Sequence, residues 1–555
     1  MNRNTASLPF LLAAATLVGC ASSGTDHLEV DAPAAQLFGD VGGHGRRVTT
    51  SSPEAQVYFD QGLAWMYSFN HDEAIRDFAK AAELDPECAM AWWGIALCEG
   101  PNYNDPVMTQ ERSDAAYGAV QEALERIDNT NALERALIEA LAERYDGRGP
   151  GDRADLDQAY ADAMAGVWAA YPTDSDVGTL YAESMMVQRP WMLYDSNRQP
   201  EGDTELIVAT LDRVIALDPM NPGANHLYIH AVEPSEDPAI GLAAAKRLEE
   251  QVPDSGHMNH MPSHIYVQTG MWDESIEQNQ LAMERDDRYR ELSPDQGVQH
   301  MYMVHNSHML AYSAMMVGRE AEAMAAARDM WNDMPMEMLG FVAPFIDLWM
   351  TSVYDVQKRF GRWDDILAEP APPEVLPITT AVWRAHRAIA YAAKKDFESA
   401  EAEYELFREA KAAIPEESVF GSDPSHRILE VSDAFIAGEI ALQQGDWDTA
   451  IERLEAAAEV EDTLGYGEPP QWLQPTRHTL GAVYLEAGRN ADAERVYRAD
   501  LDKWPNNGWS LFGLARALEA QGKTSEAAEV MRRHEAAWAK ADEATTTSCK
   551  CLPDL

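Results

Sequence analysis

Residues 55–88 read AQVYFDQGLAWMYSFNHDEAIRDFAKAAELDPEC, and their pattern decides the fold. Gly62 and Ala74 are small residues placed where two antiparallel helices must approach closely. Tyr58, Trp65 and Phe78 are large residues that fill the space around them, with Ala81 on the same face. Pro86 ends the second helix and opens the next unit, because proline cannot continue the backbone ladder. A single helix pair cannot bury its apolar face alone, so such units are expected to stack. The pattern returns downstream as GRWDDI (361–366), KDFESAEAEY (395–404), GDWDTAIERL (445–454), LGAVYLEAGRNADAERVY (480–497, closed by Pro505) and GLARALEAQGKTSEAAEV (513–530). Turn glycines at 270, 318, 361, 445, 488 and 522 keep step with it. Ten to twelve helix pairs are expected.

Histidines mark one part of this array. The chain reads HLYIHAVE at 226–233, HMNHMPSHIY at 257–266 and HMYMVHNSHML at 300–310. Eight of its fifteen histidines fall between His226 and His308, where an even spread gives roughly two. His226 and His230 are four apart, and His260 and His264 repeat that spacing 34 residues later. His257 and His260 are three apart, as are His305 and His308. Such spacings put side chains on one face of a helix.

The 34-residue period and the large–small–large signature resemble the tetratricopeptide repeat (TPR). The resemblance implies an all-α, TPR-like α-solenoid whose concave groove is lined by helix-A positions 2, 5, 9 and 12. Pro219, Pro253, Tyr266 and Gly270 fix repeat starts at 222 and 256; Gly318 fixes the next at 304, after an insertion of about 14 residues. His226 and His260 then take position 5, His230 and His264 position 9, and Glu233 position 12. His257 and His305 take position 2, and His308 position 5. His300 lies in the insertion and is a weaker candidate. By this resemblance seven histidines and a glutamate converge from three neighbouring helices, which pack about 8–10 Å apart. The motifs GPNYNDP, HLYIHAVE, HMPSHIY and HNSHML are also similar to a set of exported bacterial TPR proteins, over roughly residues 55–345. That likeness carries no activity, but it puts Asn102, Asn104 and Asp105 at the groove rim.

Imidazole-rich sites suit zinc, copper, iron and nickel, and a set poor in carboxylates argues against magnesium and calcium. Copper is favoured, since there are histidines for two three-histidine centres, and zinc comes next. In this reading His226, His230, His260 and His264 hold one ion, and His257, His305 and His308 hold a second or complete the first. Glu233 serves as ligand or base, with Tyr266 or Tyr312 as hydrogen-bond partners of the ligands. Met258, Met261, Met301, Met303 and Met309 lie alongside, and a methionine stripe on a helix is more often core than ligand. His478 stands alone at position 5 of a later repeat and is expected to be an ordinary polar contact for a peptide in the groove; His386 and His426 are also isolated.

A net charge of −50 excludes a long nucleic-acid footprint and docking on anionic lipid. Arg3, the short apolar run 8–18 and Leu17-Val18-Gly19-Cys20 resemble a bacterial lipoprotein signal. The run is too short to span a bilayer. The domain reading is therefore a signal peptide (1–19), lipidation at Cys20, a flexible tether (20–50), N-terminal repeats (51–203), a histidine-rich segment (204–345), C-terminal repeats (346–545) and a tail (546–555). By this likeness the protein sits in the cell envelope, facing the periplasm from the outer membrane, and touches membrane only through its lipid. The interruption at 189–203 (RPWMLYDSNRQPEGD) is expected to fold over the groove. Cys88 and Cys98 bracket a helix and stand roughly 15 Å apart, too far to bridge. Cys549 and Cys551 are a local disulfide, a soft-metal pair or neither.

Two functions follow. One is a transition-metal protein, oxidising or hydrolysing a small molecule or peptide in the groove. The other is an interaction scaffold that holds a partner protein or peptide without catalysis. P-loop, GxSxG and Rossmann signatures are absent from the sequence.

Overall fold

A computed structural model describes residues 35–149, 151, 153–293 and 297–552. The signal peptide, Cys20 and the tether as far as residue 34 lie outside these. The described chain is an all-α, TPR-like solenoid of 26 α-helices, with one two-residue hairpin pairing Val419–Phe420 and Asp423–Pro424. None of its helices is long and apolar enough to cross a membrane.

The first repeat forms as its sequence demands. Helix Pro53–Tyr67 starts on the Ser52 side chain, which accepts from the Ala55 amide, and has proline in its first turn. Helix His71–Leu84 starts on Asn70 in the same way. A Cβ on Gly62 would lie 2.9 Å from the Phe78 ring and one on Gly94 2.6 Å, so this close approach requires glycine from both sides. The six expected turn glycines share φ between 70° and 82°, left-handed backbone that closes a helix without a side-chain clash.

The histidine repeats depart from a regular pair. His226 and His230 ride on helix Pro222–Val232, and Glu233 is its C-cap. The next helix is split into Gly256–His260 and Pro262–Thr269, because Pro262 has no amide to donate. Met261 keeps helical dihedrals between them, so both pieces run on in one direction and His257, His260 and His264 stay on one side. The insertion before the third repeat is absorbed by lengthening two helices, Trp272–Leu292 and Gln299–Met316. Split and extra short helices raise the count above the pairs expected.

The array curls back on itself. The Trp272 indole donates to Pro505 O (2.8 Å) and the Trp509 indole to Met315 O (2.8 Å), so the last repeats dock on the middle ones. This turn brings loop 463–475 to the histidines.

The described residues nearest the two ends are both fixed to the repeats. Residues 35–50 are held rather than free. Phe38 packs edge-on to Trp65 at 4.9 Å, its amide donates to Gln61 (2.9 Å), and Arg46 pairs with Asp174 and Asp176. The tail is likewise anchored. Cys549 and Cys551 form a disulfide and are buried among the C-terminal repeats. Arg359 donates to Ser548 O (2.6 Å), Gln443 donates to Cys551 O (2.5 Å), and Tyr497 meets the Ser548 hydroxyl (2.5 Å). Cys88 and Cys98 are free and buried, as their separation requires.

Candidate metal centre

The structure brings six histidines together as two triads. One ring nitrogen from each of His226, His230 and His257 lies within 4.8 Å of the others, and so do those of His260, His264 and His305. The partition expected from sequence is therefore redrawn: His257 joins the pair from its preceding repeat, and His305 the pair from its own. Two expected ligands stay outside. His300 bonds Asp333 O through Nε2 (2.6 Å), well placed on its own helix turn but turned away from the triads. His308 stands against Trp349, 6.2 Å from His305 between ring centres, and belongs to neither set.

Each triad is built on rings oriented from behind. His226 Nδ1 donates to Tyr67 O (2.7 Å). His260 Nδ1 donates to Asn279 Oδ1 (2.6 Å), and the Asn279 amide nitrogen is fixed by donating to Ser275 O (2.8 Å). Glu233 serves two rings at once: Oε1 accepts from His230 Nδ1 (2.9 Å) and Oε2 from His264 Nδ1 (2.6 Å). With Nδ1 committed in these four rings, their Nε2 atoms turn inward, whereas His257 and His305 have unpartnered Nδ1 atoms. His226 and His257 face each other through Nε2 at 3.2 Å, and His260 and His264 at 2.7 Å. His230 Nε2 is buried with no partner at all. Metal-ligating histidines are oriented in this way, one nitrogen on the ion and the other on a carboxylate, carbonyl or amide oxygen. Two nitrogens on one tetrahedral ion sit about 3.3 Å apart. The 3.2 Å contact already matches, and the 2.7 Å contact is a proton-sharing distance that opens slightly around an ion.

Glu233 thus bridges His230 and His264, and with Glu468 it makes a further set of four groups whose donor atoms lie within 4.8 Å of one another. Tyr266 and Tyr312 are not partners of the ligands. The Tyr266 hydroxyl bonds Glu249 beside Lys246, and the Tyr312 ring lies between Trp272 and Trp504. The methionines are core: Met258, Met261, Met303 and Met309 are buried in the apolar clusters, and Met301 packs at the edge of one.

The site is an interior, not an open groove wall. His226, His230, Glu233 and His260 have no solvent exposure, and only His305 among the six is half-buried. Burial, and after it the neighbouring imidazoles, pushes His226, His257, His260 and His305 well below the usual imidazole range. Burial brings His230 and His308 down to about 3. His264 is the exception. Burial opposes its charge, but the Glu468 and Glu233 carboxylates hold it up to about 10. An imidazolium there, or a metal cation, satisfies the facing His260 nitrogen.

Glu468 had no signal in the sequence. It comes from loop 463–475, its carboxylate pairs with His264 Nδ1, and burial followed by the Glu233 charge raises it to about 7. The aromatic walls were equally hidden. Phe69 lies 4.5 Å from His226 between ring centres and is stacked near His230 and His257. Trp191 stands edge-on to His230 at 5.5 Å, Tyr103 is 5.2 Å from it, Tyr302 4.5 Å from His257, and Trp349 stacks on His305 at 5.1 Å. Segment 189–203 therefore does fold over the histidines, through Trp191. Asn102, Asn104 and Asp105 shape the loop that carries Tyr103: Asn102 Oδ1 accepts from both following amides, and Asp105 pairs with Arg112 (2.7 Å). Phe69 and Trp191 have φ of 56° and 61°, left-handed backbone that costs a bulky residue about 1–3 kcal/mol. Both strained residues cap the first triad.

Comparison with known proteins agrees with the repeat reading. Models described as tetratricopeptide repeat match residues 55–88 and 478–542. No curated protein matches the sequence. Among solved structures, the human IFIT1 dimer with m7Gppp-AAAA is 13% identical, covering 88% of this chain and 91% of that one with a TM-score of 0.33. The APC/C hetero-tetramer Cut9-Hcn1 is 12% identical, covering 84% and 76% with a TM-score of 0.32. What those complexes contain belongs to those proteins. The chain carries tetratricopeptide repeats at both ends of an all-α solenoid.

Proposed function

We propose that this protein binds a transition metal in its histidine cluster, with copper favoured and zinc next. The observation that supports it is the pair of imidazoles, His260 and His264, whose Nδ1 atoms are committed to Asn279 and Glu233 and whose Nε2 atoms face each other in the interior. The facing pair is matched by a proton on His264 or by a metal ion, and a metal ion also engages the third ring, His305, whose Nδ1 is otherwise unpartnered. Burial favours storage, delivery or a structural role over turnover of a peptide, since five of the six triad histidines are buried and His305 is half-buried. Elemental analysis of the soluble protein, purified without an affinity tag and lacking residues 1–20, tests the reading. It expects stoichiometric metal that disappears in a His226/His230/His260/His264 quadruple alanine variant. Protein that stays metal-free after titration with copper and zinc rejects it. We further propose that lipid on Cys20 holds the protein at the cell envelope. Cys20→Ala is expected to shift it to the soluble fraction, and unchanged membrane association counts against the anchor.

A second reading, the interaction scaffold, draws on a different place. The C-terminal repeats grip the main chain of residues 548–551 through Arg359 and Gln443, much as a repeat groove grips an extended peptide. The two readings use separate residues and are compatible.

A further inference from the structure

We infer that the cluster holds two copper(I) ions, one in each histidine triad, coupled through Glu233. This rests on the metal-binding reading and adds number, oxidation state and linkage to it.

The number follows from the division of the donors. His226, His230 and His257 converge on one point, and His260, His264 and His305 on another. The rings adjoin across the triads, His230 and His264 at 5.6 Å between centres and His257 and His260 at 6.1 Å, and it is the grouping of the ring nitrogens that divides them. Neither triad is complete as a polar network. His230 Nε2 in the first, and His305 Nδ1 in the second, are buried nitrogens with nothing to bond.

The choice of ion follows from the donors and from charge. Each triad offers three imidazole nitrogens, and the Glu233 and Glu468 carboxylates, which group with His230 and His264, lie on the Nδ1 side of those two rings. Structural zinc closes its shell with four ligands. Monovalent copper has a filled d shell, accepts three imidazoles and needs no fourth group, which suits a site walled by Phe69, Trp191 and Trp349. The carboxylates at the cluster are Glu233 and Glu468. Two monovalent ions balance two carboxylates, whereas two divalent ions leave excess positive charge in a buried site at a cost of several kcal/mol.

The linkage is Glu233. Its two oxygens hold one ring of each triad, His230 and His264, so filling one triad fixes the acid that orients the other. The half-buried His305 beside Trp349 is the route by which ions enter.

The test is an anaerobic titration of the tag-free protein with copper(I), using bicinchoninate as the competing chromophore. Two equivalents per chain are expected. The double variant His226→Ala/His257→Ala should keep one, and His260→Ala/His305→Ala should keep the other, with circular dichroism checking the fold of each. A single equivalent in the wild type, abolished by either double variant, overturns the pair and leaves the single-ion reading standing. No copper(I) but bound zinc overturns the copper assignment alone, and no metal of any kind removes both. Copper K-edge absorption on the loaded wild type needs no variant to fold. Three nitrogen neighbours per copper support the proposal, and four-coordinate copper overturns it.

Discussion

Two sets of buried histidines occupy this solenoid, and they are finished in opposite ways. In the C-terminal repeats His386 has Nδ1 on Val382 O (2.8 Å) and Nε2 on Asp355 (3.1 Å). His478 has Nδ1 against Arg359 (3.1 Å) and Nε2 on Asp500 (3.0 Å). Both nitrogens of each ring are used up by the protein. In the cluster His226, His230, His260 and His264 each have one nitrogen used up and the other facing a second imidazole or nothing, and His257 Nδ1 and His305 Nδ1 have no partner. Burial is common to both sets, so burial does not mark a metal site. What sets the triads apart is unfinished nitrogens on rings that face one another, since His71 Nε2 and His308 Nδ1 are also unpartnered but belong to neither triad. His478 shares repeat position 5 with His226 and His260, which shows that the position alone does not decide the role.

The contrast breaks most visibly at Asp500, which accepts from His478, Asn507 (3.0 Å) and Ser510 (2.6 Å) with almost no exposure. Asp500→Ala leaves three buried donors without an acceptor and is expected to cost about 3–5 kcal/mol in urea denaturation. Metal content should not move. A variant that loses metal in proportion to stability would show that the two regions are one unit and that the comparison is empty. Added metal should act on the other set alone. At a free concentration a hundredfold above its Kd, one bound ion stabilises by about 2.7 kcal/mol. With two ions the gain is expected to be about twice that in the wild type and in Asp500→Ala and about half as large in His260→Ala, where an undiminished gain would remove His260 from the ligands.

Glu233→Gln sharpens the comparison by attacking orientation without removing a ligand. A glutamine has one oxygen where Glu233 uses two, so either His230 or His264 loses its acceptor. Metal affinity is expected to fall about 10- to 100-fold, the usual cost of losing such a partner. Unchanged affinity would mean that the rings are held by packing alone.

The fold was open to sequence reading because its evidence is local. Gly62 and Phe78, the six left-handed glycines and the 34-residue spacing report contacts within a repeat or between neighbours, and such contacts leave periodic traces. The triads were half legible for the same reason. His226 with His230, and His260 with His264, follow from helix geometry, but their grouping with His257 and His305 depends on how three helices are rotated against one another. Glu468 lies 204 residues beyond His264 and reaches it only because the superhelix closes. No period connects them. Tyr266 and Tyr312 failed as partners because adjacency in sequence placed them near the ligands while their helices turned their hydroxyls elsewhere. The ends misled in a different way: Gly-, Ser- and Ala-rich composition suggested a free tether through residue 50, yet Phe38 and Arg46 suffice to pin its last part against the first repeats.

The smallest expected effect on stability tests whether the strained aromatic caps belong to the site or to the fold. Trp191 is held at φ 61° with its ring against His230 and 5.2 Å from Tyr103. Trp191→Gly relieves a backbone penalty of about 1–2 kcal/mol, because glycine adopts left-handed dihedrals freely. It also removes a half-buried ring worth a comparable amount, so net stability should stay within about 1 kcal/mol. Metal retention should change far more, since the ring is one wall between His230 and solvent. Loss of metal to a chelator is expected to quicken at least tenfold, an easing of the release barrier by about 1.4 kcal/mol. In the C-terminal repeats, Lys395 has a similar left-handed backbone (φ 64°), is not among the groups around His386, and bonds Gln443 on the surface. Lys395→Gly should alter neither quantity by much. Equal behaviour of the two glycine variants would assign the Trp191 strain to chain reversal, while divergence in release rate at matched stability assigns it to keeping the first triad closed.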